Sequence, residues 1–145
     1  MRILGIDYGE ARVGIAITDE LNITAQGLET IQRNNSDRII LKRLDELFEK
    51  YEVGTIVVGM PLNMNGTISE RAKITEEFVH KLKCKYNKKK IETVDERLTT
   101  VEAQRTMNFL EVKKNKKRNI VDTISAVYIL ETYLNKMKNT ILKDS

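Results

Sequence analysis

The sequence has one cysteine and one histidine in 145 residues, and that scarcity removes whole classes of chemistry. Cys84 alone excludes an internal disulfide and a zinc cluster built on cysteines. It stands in Lys83-Cys84-Lys85, four residues after His80. One helix face could hold the two together, but pairs at that spacing are usually plain neighbours. Long apolar runs are missing too. No stretch is long and apolar enough to span a membrane. Asp7 and Glu10 interrupt the apolar start, which is not a signal peptide's pattern. The expected location is cytoplasmic, with no membrane partner.

What is present is an ordinary globular composition, 41% hydrophobic and 32% charged, and enough chain for one domain over residues 1–145 with a real core. A net charge of +4 and a pI of about 9.1 favour an anionic partner.

The chain is organised around its start. Arg2 to Gly9 and Arg12 to Asp19 read as two strands joined by a tight turn. The first is apolar on both faces and belongs in the middle of a covered sheet. Asp7 ends it, and a buried carboxylate needs a turn, a cation or a metal beside it. Gly9 permits the turn, and Gly14 permits close approach to the second strand. Leu28 to Ile31 reads as a third, antiparallel edge strand. Asn34-Asn35-Ser36-Asp37 signals a helix start. Ile39, Ile40, Arg43, Leu44, Leu47 and Phe48 then follow at helical spacing, and Gly54 is the expected stop.

Thr55 to Met60 is a continuous β-branched run, hence a buried parallel strand. Pro61 to Thr67 is a loop at its carboxyl end. Ser69 opens a helix to about Lys83 with Ile74, Phe78 and Leu82 on one stripe. Lys88-Lys89-Lys90 is a solvated turn. Ile91 to Val94 is a fifth strand, ending at Asp95-Glu96-Arg97, and a helix is expected from Thr99 to about Leu110. Lys113 to Asn119 carries five basic residues in seven and reads as a mobile loop. The last helix is expected from near Ile120 to about Leu142, buried in its first half and fraying after Leu134. The pattern predicts an α/β fold, a mixed five-stranded sheet with three antiparallel strands followed by parallel ones and helices on both faces.

Three acids fall where such a sheet places its sites: Asp7 and Glu96, the latter beside Asp95, at strand ends, and Asp122 in the first turn of a buried helix. Each has an ordinary alternative. Asp7 could cap a turn, Glu96 could pair with Arg97 on the surface, and Asp122 could be a helix-start residue behind a capping Asn119. Together they would repel one another unless divalent cations sat among them. Carboxylate oxygens suit magnesium or manganese. Two such ions about 4 Å apart would support phosphodiester hydrolysis, with the basic run holding phosphates.

Gly5-Ile6-Asp7-Tyr8-Gly9 with Arg12-Val13-Gly14-Ile15-Ala16, then Val58 to Gly66, then Val94-Asp95-Glu96-Arg97-Leu98-Thr99-Thr100, then the lysine-rich run and Val121 to Ala126 resemble the YqgF (RuvX) family over nearly the whole chain, in order. The resemblance implies a ribonuclease H-like fold and a metal-dependent nuclease for the 5′ end of precursor 16S rRNA. The family also bears the older label of Holliday junction resolvase-like protein. It implies catalytic acids at Asp7, Glu96 and Asp122 and metal ligands at Asp7, Asp95, Glu96 and Asp122, with Asp95 able to share or replace the role of Glu96. It implies nucleic-acid contacts at Arg12, Asn63, Gly66, Arg97, Lys113, Lys114, Lys116, Lys117 and Arg118. Related resolvases carry an acid at the end of the fourth strand, where this chain has Gly59 and Met60. The implied partner is structured RNA or branched DNA, acted on by a monomer or weak homodimer. Other classes that begin alike are an ATP-binding fragment of the actin and hexokinase kind, for which the chain is too short, and a non-catalytic RNA-binding module.

Overall fold

The structure is a computed structural model. It describes residues 1–63, 65–95 and 117–144, with the backbone alone for 117–122 and 141–144. The helix expected over Thr99–Leu110 and the basic residues Lys113, Lys114 and Lys116 lie outside the described residues.

Five strands form one sheet in the order β3-β2-β1-β4-β5. They are β1 (Arg2–Tyr8), β2 (Arg12–Thr18), β3 (Ala25–Gln32), β4 (Val53–Met60) and β5 (Lys90–Asp95). β1 pairs antiparallel with β2, and β2 with β3, while β4 lies parallel to β1 and β5 parallel to β4. This is the expected mixed sheet, with β1 in the middle and β3 at an edge.

The helices are α1 (Asp37–Lys50), α2 (Glu70–Lys85) and α3 (Lys117–Asp144). Ser36 caps α1 by accepting from the Arg38 N–H, and Ser69 caps α2 by accepting from Ala72, the chemistry that favours serine there. α1 stops at Lys50, with Tyr51 already extended. Gly54, the expected stop, lies inside β4, where a Cβ would come 2.8 Å from the Met1 sulfur. Its bareness admits the N-terminus rather than ending the helix. α1 buries Ile40, Leu44 and Leu47, and α2 buries Ala72, Thr75, Phe78, Val79 and Leu82. Ile39 and Ile74, expected on those stripes, are 40% and 42% exposed, because each helix turns a neighbouring row toward the sheet. Arg43 lies on the surface, where it binds Glu29 and Glu46. The lysine turn is partly anchored: Lys89 Nζ donates to the Val53 carbonyl and lies 4.5 Å from the Phe48 ring centre. Lys90 already belongs to β5.

Alternation along β1 divides two cores. Leu4, Ile6 and Tyr8 join Ile15, Ile17, Leu44, Phe78 and Leu82 between the sheet and α1 and α2. Ile3 joins Ala16, Val57, Val94, Ala126, Ile129 and Leu130 under α3. Gly5, Ala16 and Gly27 stand side by side in one cross-strand row. A Cβ on Gly5 would lie 2.6 Å from Leu130 Cγ and 3.0 Å from the Ala126 carbonyl, and one on Gly27 would lie 3.1 Å from Thr123 Cβ. The described close approach of a helix is thus at Gly5 and Gly27.

α3 begins at Lys117, so Lys117, Arg118 and Asn119 are helical where a loop was expected. Lys and Arg are good helix formers, and extending a helix already anchored by packing costs little. The helix also continues to Asp144, past the point where it was expected to fray.

Candidate active site

The parallel pairs bring the ends of β1, β4 and β5 to one edge. Ile6 pairs with Val58, and Met60 with Asp95, so Asp7, next to last in β1, and Asp95, last in β5, come to the same edge of the sheet. Their pleat sets differ. Asp7 follows Ile3 and Gly5 onto the face under α3, while Asp95 alternates with Val94, which packs beneath α3, and belongs with Ile91, which packs against the other core. Asp7 is half-buried and pairs with buried Gly14, itself paired with Thr30. Glycine opposite the acid leaves that part of the row without a side chain. β4 ends in Gly59 and Met60, so no acid from that strand reaches the edge.

α3 lies on the same face as Asp7. Its backbone at Asp122 is one turn before Ala126, where the helix sits on Gly5. Asp122 is the sixth residue of α3, past the first turn where it was expected, and Asn119 lies inside the helix rather than capping it. Its side chain, like those of Lys117 and Arg118, lies outside the described residues, as do Glu96 and Arg97 entirely.

The turn between β1 and β2 is held from behind. A Cβ on Gly9 would collide with the Arg12 carbonyl at 2.2 Å, so only glycine fits there. Arg33 donates from Nη1 to the Glu10 carbonyl and from its backbone N–H to Ala11. Its guanidinium also lies 5.1 Å from the Tyr8 ring centre and bonds to Asp37. Asp37 accepts further from Tyr8 Oη and from Lys81 Nζ at 2.8 Å. Burial raises the Asp37 pKa, but the hydrogen bonds from Lys81, Tyr8 and Arg33 together outweigh it and hold the carboxyl below its ordinary value. Burial, then the Asp37 bond, pushes the Tyr8 phenol well up. Tyr8 stacks on Phe78 at 4.2 Å. The residue after Asp7 is thus locked in place on the opposite face.

The loop after β4 closes on itself. The Gly66 N–H donates to the Asn63 carbonyl at 2.8 Å, and Gly66 has φ 87°, where a side chain would be strained. Asn63 Nδ2 donates to Thr67 Oγ1, and the Ser69 hydroxyl donates to the Pro61 carbonyl. Asn63 and Gly66 therefore shape the loop. α2 starts directly behind it. Arg71 was not anticipated: its Nη2 donates to the Tyr8 carbonyl at 3.0 Å, one residue from Asp7. Nothing in the sequence around Ser69-Glu70-Arg71 distinguishes it from a surface helix arginine.

Among the described residues, no group of three or more His, Cys, Asp or Glu could hold a metal ion. Asp7 offers a hard oxygen donor that fits magnesium or manganese, and the other acids of the expected set lie outside what is described or, for Asp95, in the opposite pleat set. The Cys84–His80 pair exists, with Sγ 3.6 Å from Nε2, but on exposed α2 surface far along the chain from the loop. Among the described residues no helix is long and apolar enough to cross a membrane.

A family model described as "RuvX: Holliday junction resolvase" matches residues 1–136. The chain belongs to the RuvX family. Two relatives of this RuvX chain bear the name "Putative pre-16S rRNA nuclease". The Acetivibrio thermocellus protein is 50% identical over 135 residues, covering 93% of this chain and 96% of the relative. The Ruminiclostridium cellulolyticum protein is 51% identical over 137 residues, covering 94% and 96%. Among solved structures, RuvC of T. thermophilus in complex with a Holliday junction substrate aligns with TM-score 0.57 at 13% identity, covering 94% of this chain and 96% of that one. The fowlpox virus Holliday junction resolvase aligns with TM-score 0.56 at 12% identity, covering 94% and 99%. At those identities the likeness concerns the fold, which is ribonuclease H-like.

Proposed function

We propose that this RuvX protein is a metal-dependent phosphodiester nuclease of the cytoplasm that processes the 5′ end of precursor 16S rRNA. The observation that carries this is Asp7: an acid at the carboxyl edge of the central strand, opposite a bare glycine, on the face where α3 brings the backbone of Asp122. The names of the relatives point to the RNA. Asp7, Glu96 and Asp122 are the proposed catalytic acids. Register favours Glu96 over Asp95 as the second acid, since Asp95 is in the pleat set opposite to Asp7. Magnesium or manganese bound by these acids would activate a water and stabilise the leaving oxygen. The chain itself supplies the carboxylates, holds the β1–β2 turn rigid through Arg33, and offers Arg12, Arg97, Lys113, Lys114, Lys116, Lys117 and Arg118 to phosphates.

A second reading, cleavage of four-way DNA junctions, is favoured by the family's description and calls for two symmetric cuts and so a dimer. Purified protein with magnesium or manganese is incubated with structured precursor rRNA beside a four-way DNA junction. The expected outcome is cleavage of the RNA alone. Junction cleavage with intact RNA overturns the main reading, and binding of RNA without cleavage of either makes the protein a non-catalytic binding module. Replacing the five basic residues from Lys113 to Arg118 by Ala should flatten the salt dependence of RNA binding, by roughly one unit of slope for each phosphate no longer neutralised.

A further inference from the structure

We propose that Arg71 contacts a backbone phosphate of the nucleic acid beside the reacting one, a role that rests on the nuclease reading above. Three observations converge on it. First, Arg71 is tied to the site's own backbone: beyond the last β1–β4 pair, Ile6 with Val58, the Tyr8 carbonyl needs a donor, and Arg71 Nη2 supplies it at 3.0 Å. That carbonyl belongs to the residue after Asp7. Second, Arg71 is exposed and uses one of its five N–H donors in that bond, leaving four. Third, its charge is not spent. The cations Arg33 and Lys81 are both held by Asp37, and Arg43 by Glu29 and Glu46. Among the described residues no carboxylate pairs with Arg71.

A guanidinium anchored at one corner and open at the others differs from a lysine on a flexible stem. Part of its side-chain entropy is already lost, so a phosphate meets a fork set in place. The anchor is itself rigid, because Arg33 pins Glu10 and Ala11 and Asp37 holds the Tyr8 hydroxyl. Arg71 also couples two elements. It leaves the first turn of α2, directly after the Asn63–Thr67 loop, and reaches β1, so a phosphate bound there registers the strand's backbone against Asp7.

The test uses the full-length protein and a labelled precursor rRNA fragment. Arg71→Gln keeps a donor for the Tyr8 carbonyl and good helix propensity but removes the charge. Lys83→Gln, at the other end of α2, is the control for loss of one positive charge. Arg71→Gln should lower the salt slope of RNA binding by about one unit and slow cleavage at least tenfold with an unchanged melting temperature. Lys83→Gln should leave both nearly unchanged. Arg71→Lys should restore the slope and only part of the rate, because the fork is lost. In RNA carrying single methylphosphonates near the cut, one position should abolish the difference between unmodified protein and Arg71→Gln, which a purely structural arginine would not do. A slope and rate equal to the unmodified protein's overturn the proposal, as does a difference that persists at every methylphosphonate position or a loss traced wholly to a lowered melting temperature. If the unmodified protein neither binds nor cuts the RNA, the nuclease reading falls, and the role of Arg71 falls with it.

Discussion

The two faces of the sheet are built in opposite ways. The face toward α1 and α2 is filled by large side chains, with Phe78, Leu4, Ile6, Ile15, Ile17, Leu44 and Leu82 almost wholly buried, and its rim is closed by Tyr8, Arg33, Asp37 and Lys81. The face toward α3 is bare along Gly5, Ala16 and Gly27, so the helix sits on the strands themselves. β1 serves both, giving Tyr8 to the first face and Asp7 to the second. On the reading proposed above, rigidity and chemistry are divided between adjacent residues: the filled face packs against Tyr8, and the bare face lets α3 sit directly on the strands beside Asp7.

The largest expected effect on stability lies on the filled face. Phe78→Ala removes a fully buried ring stacked on Tyr8 and should cost about 3–5 kcal/mol in urea unfolding. A cost near zero would mean that α2 is not part of that core. On the bare face the harm comes from adding atoms. Gly5→Ala puts a Cβ against the Ala126 carbonyl and should cost about 1–3 kcal/mol. It should also slow cleavage per folded molecule more than Phe78→Ala does, because it displaces the helix backbone that carries Asp122. Equal slowing by both substitutions would erase the proposed division of labour.

The charged rim should show itself in acid. The Asp37 carboxyl is held below its ordinary value of 3.8, so its contribution to stability is present above that value and is lost as pH falls through the lower, folded one. Asp37→Asn should therefore be less stable than the unmodified protein at neutral pH, with the gap narrowing toward acid pH. A gap independent of pH, read from thermal melts, would show that the ion cluster does not stabilise the fold. The smallest stability effect is expected at Asp7. Asp7→Asn keeps the turn chemistry, so stability should be unchanged or higher, while RNA cleavage is lost and RNA binding is retained. Full cleavage at a metal concentration limiting for the unmodified protein would return Asp7 to the role of a turn former.

Much of this was legible in the chain because the relevant physics is local. Short apolar, β-branched runs bounded by turn residues announced five strands, the caps Ser36 and Ser69 announced two helices, and an acid at the end of the apolar run Ile3 to Ile6 announced Asp7 as a residue in need of a reason. Other features depend on what lies across space. Gly54 resembles a helix stop until Met1 is placed against it, and Ile39 and Ile74 fit an apolar stripe until the helix's rotation against the sheet is known. Asp95 and Glu96 are equivalent by spacing, and only the β4–β5 register puts Asp95 in the pleat set away from Asp7. Arg71 and Tyr8 are 63 residues apart, so no periodicity relates them. Backbone propensity and burial pattern act over a few residues, so the five strands, the helices opened by Ser36 and Ser69 and the out-of-place acid Asp7 can be read from the chain alone. Which side chains share an edge depends on strand register and helix seating, and these are set by packing between elements distant in the chain.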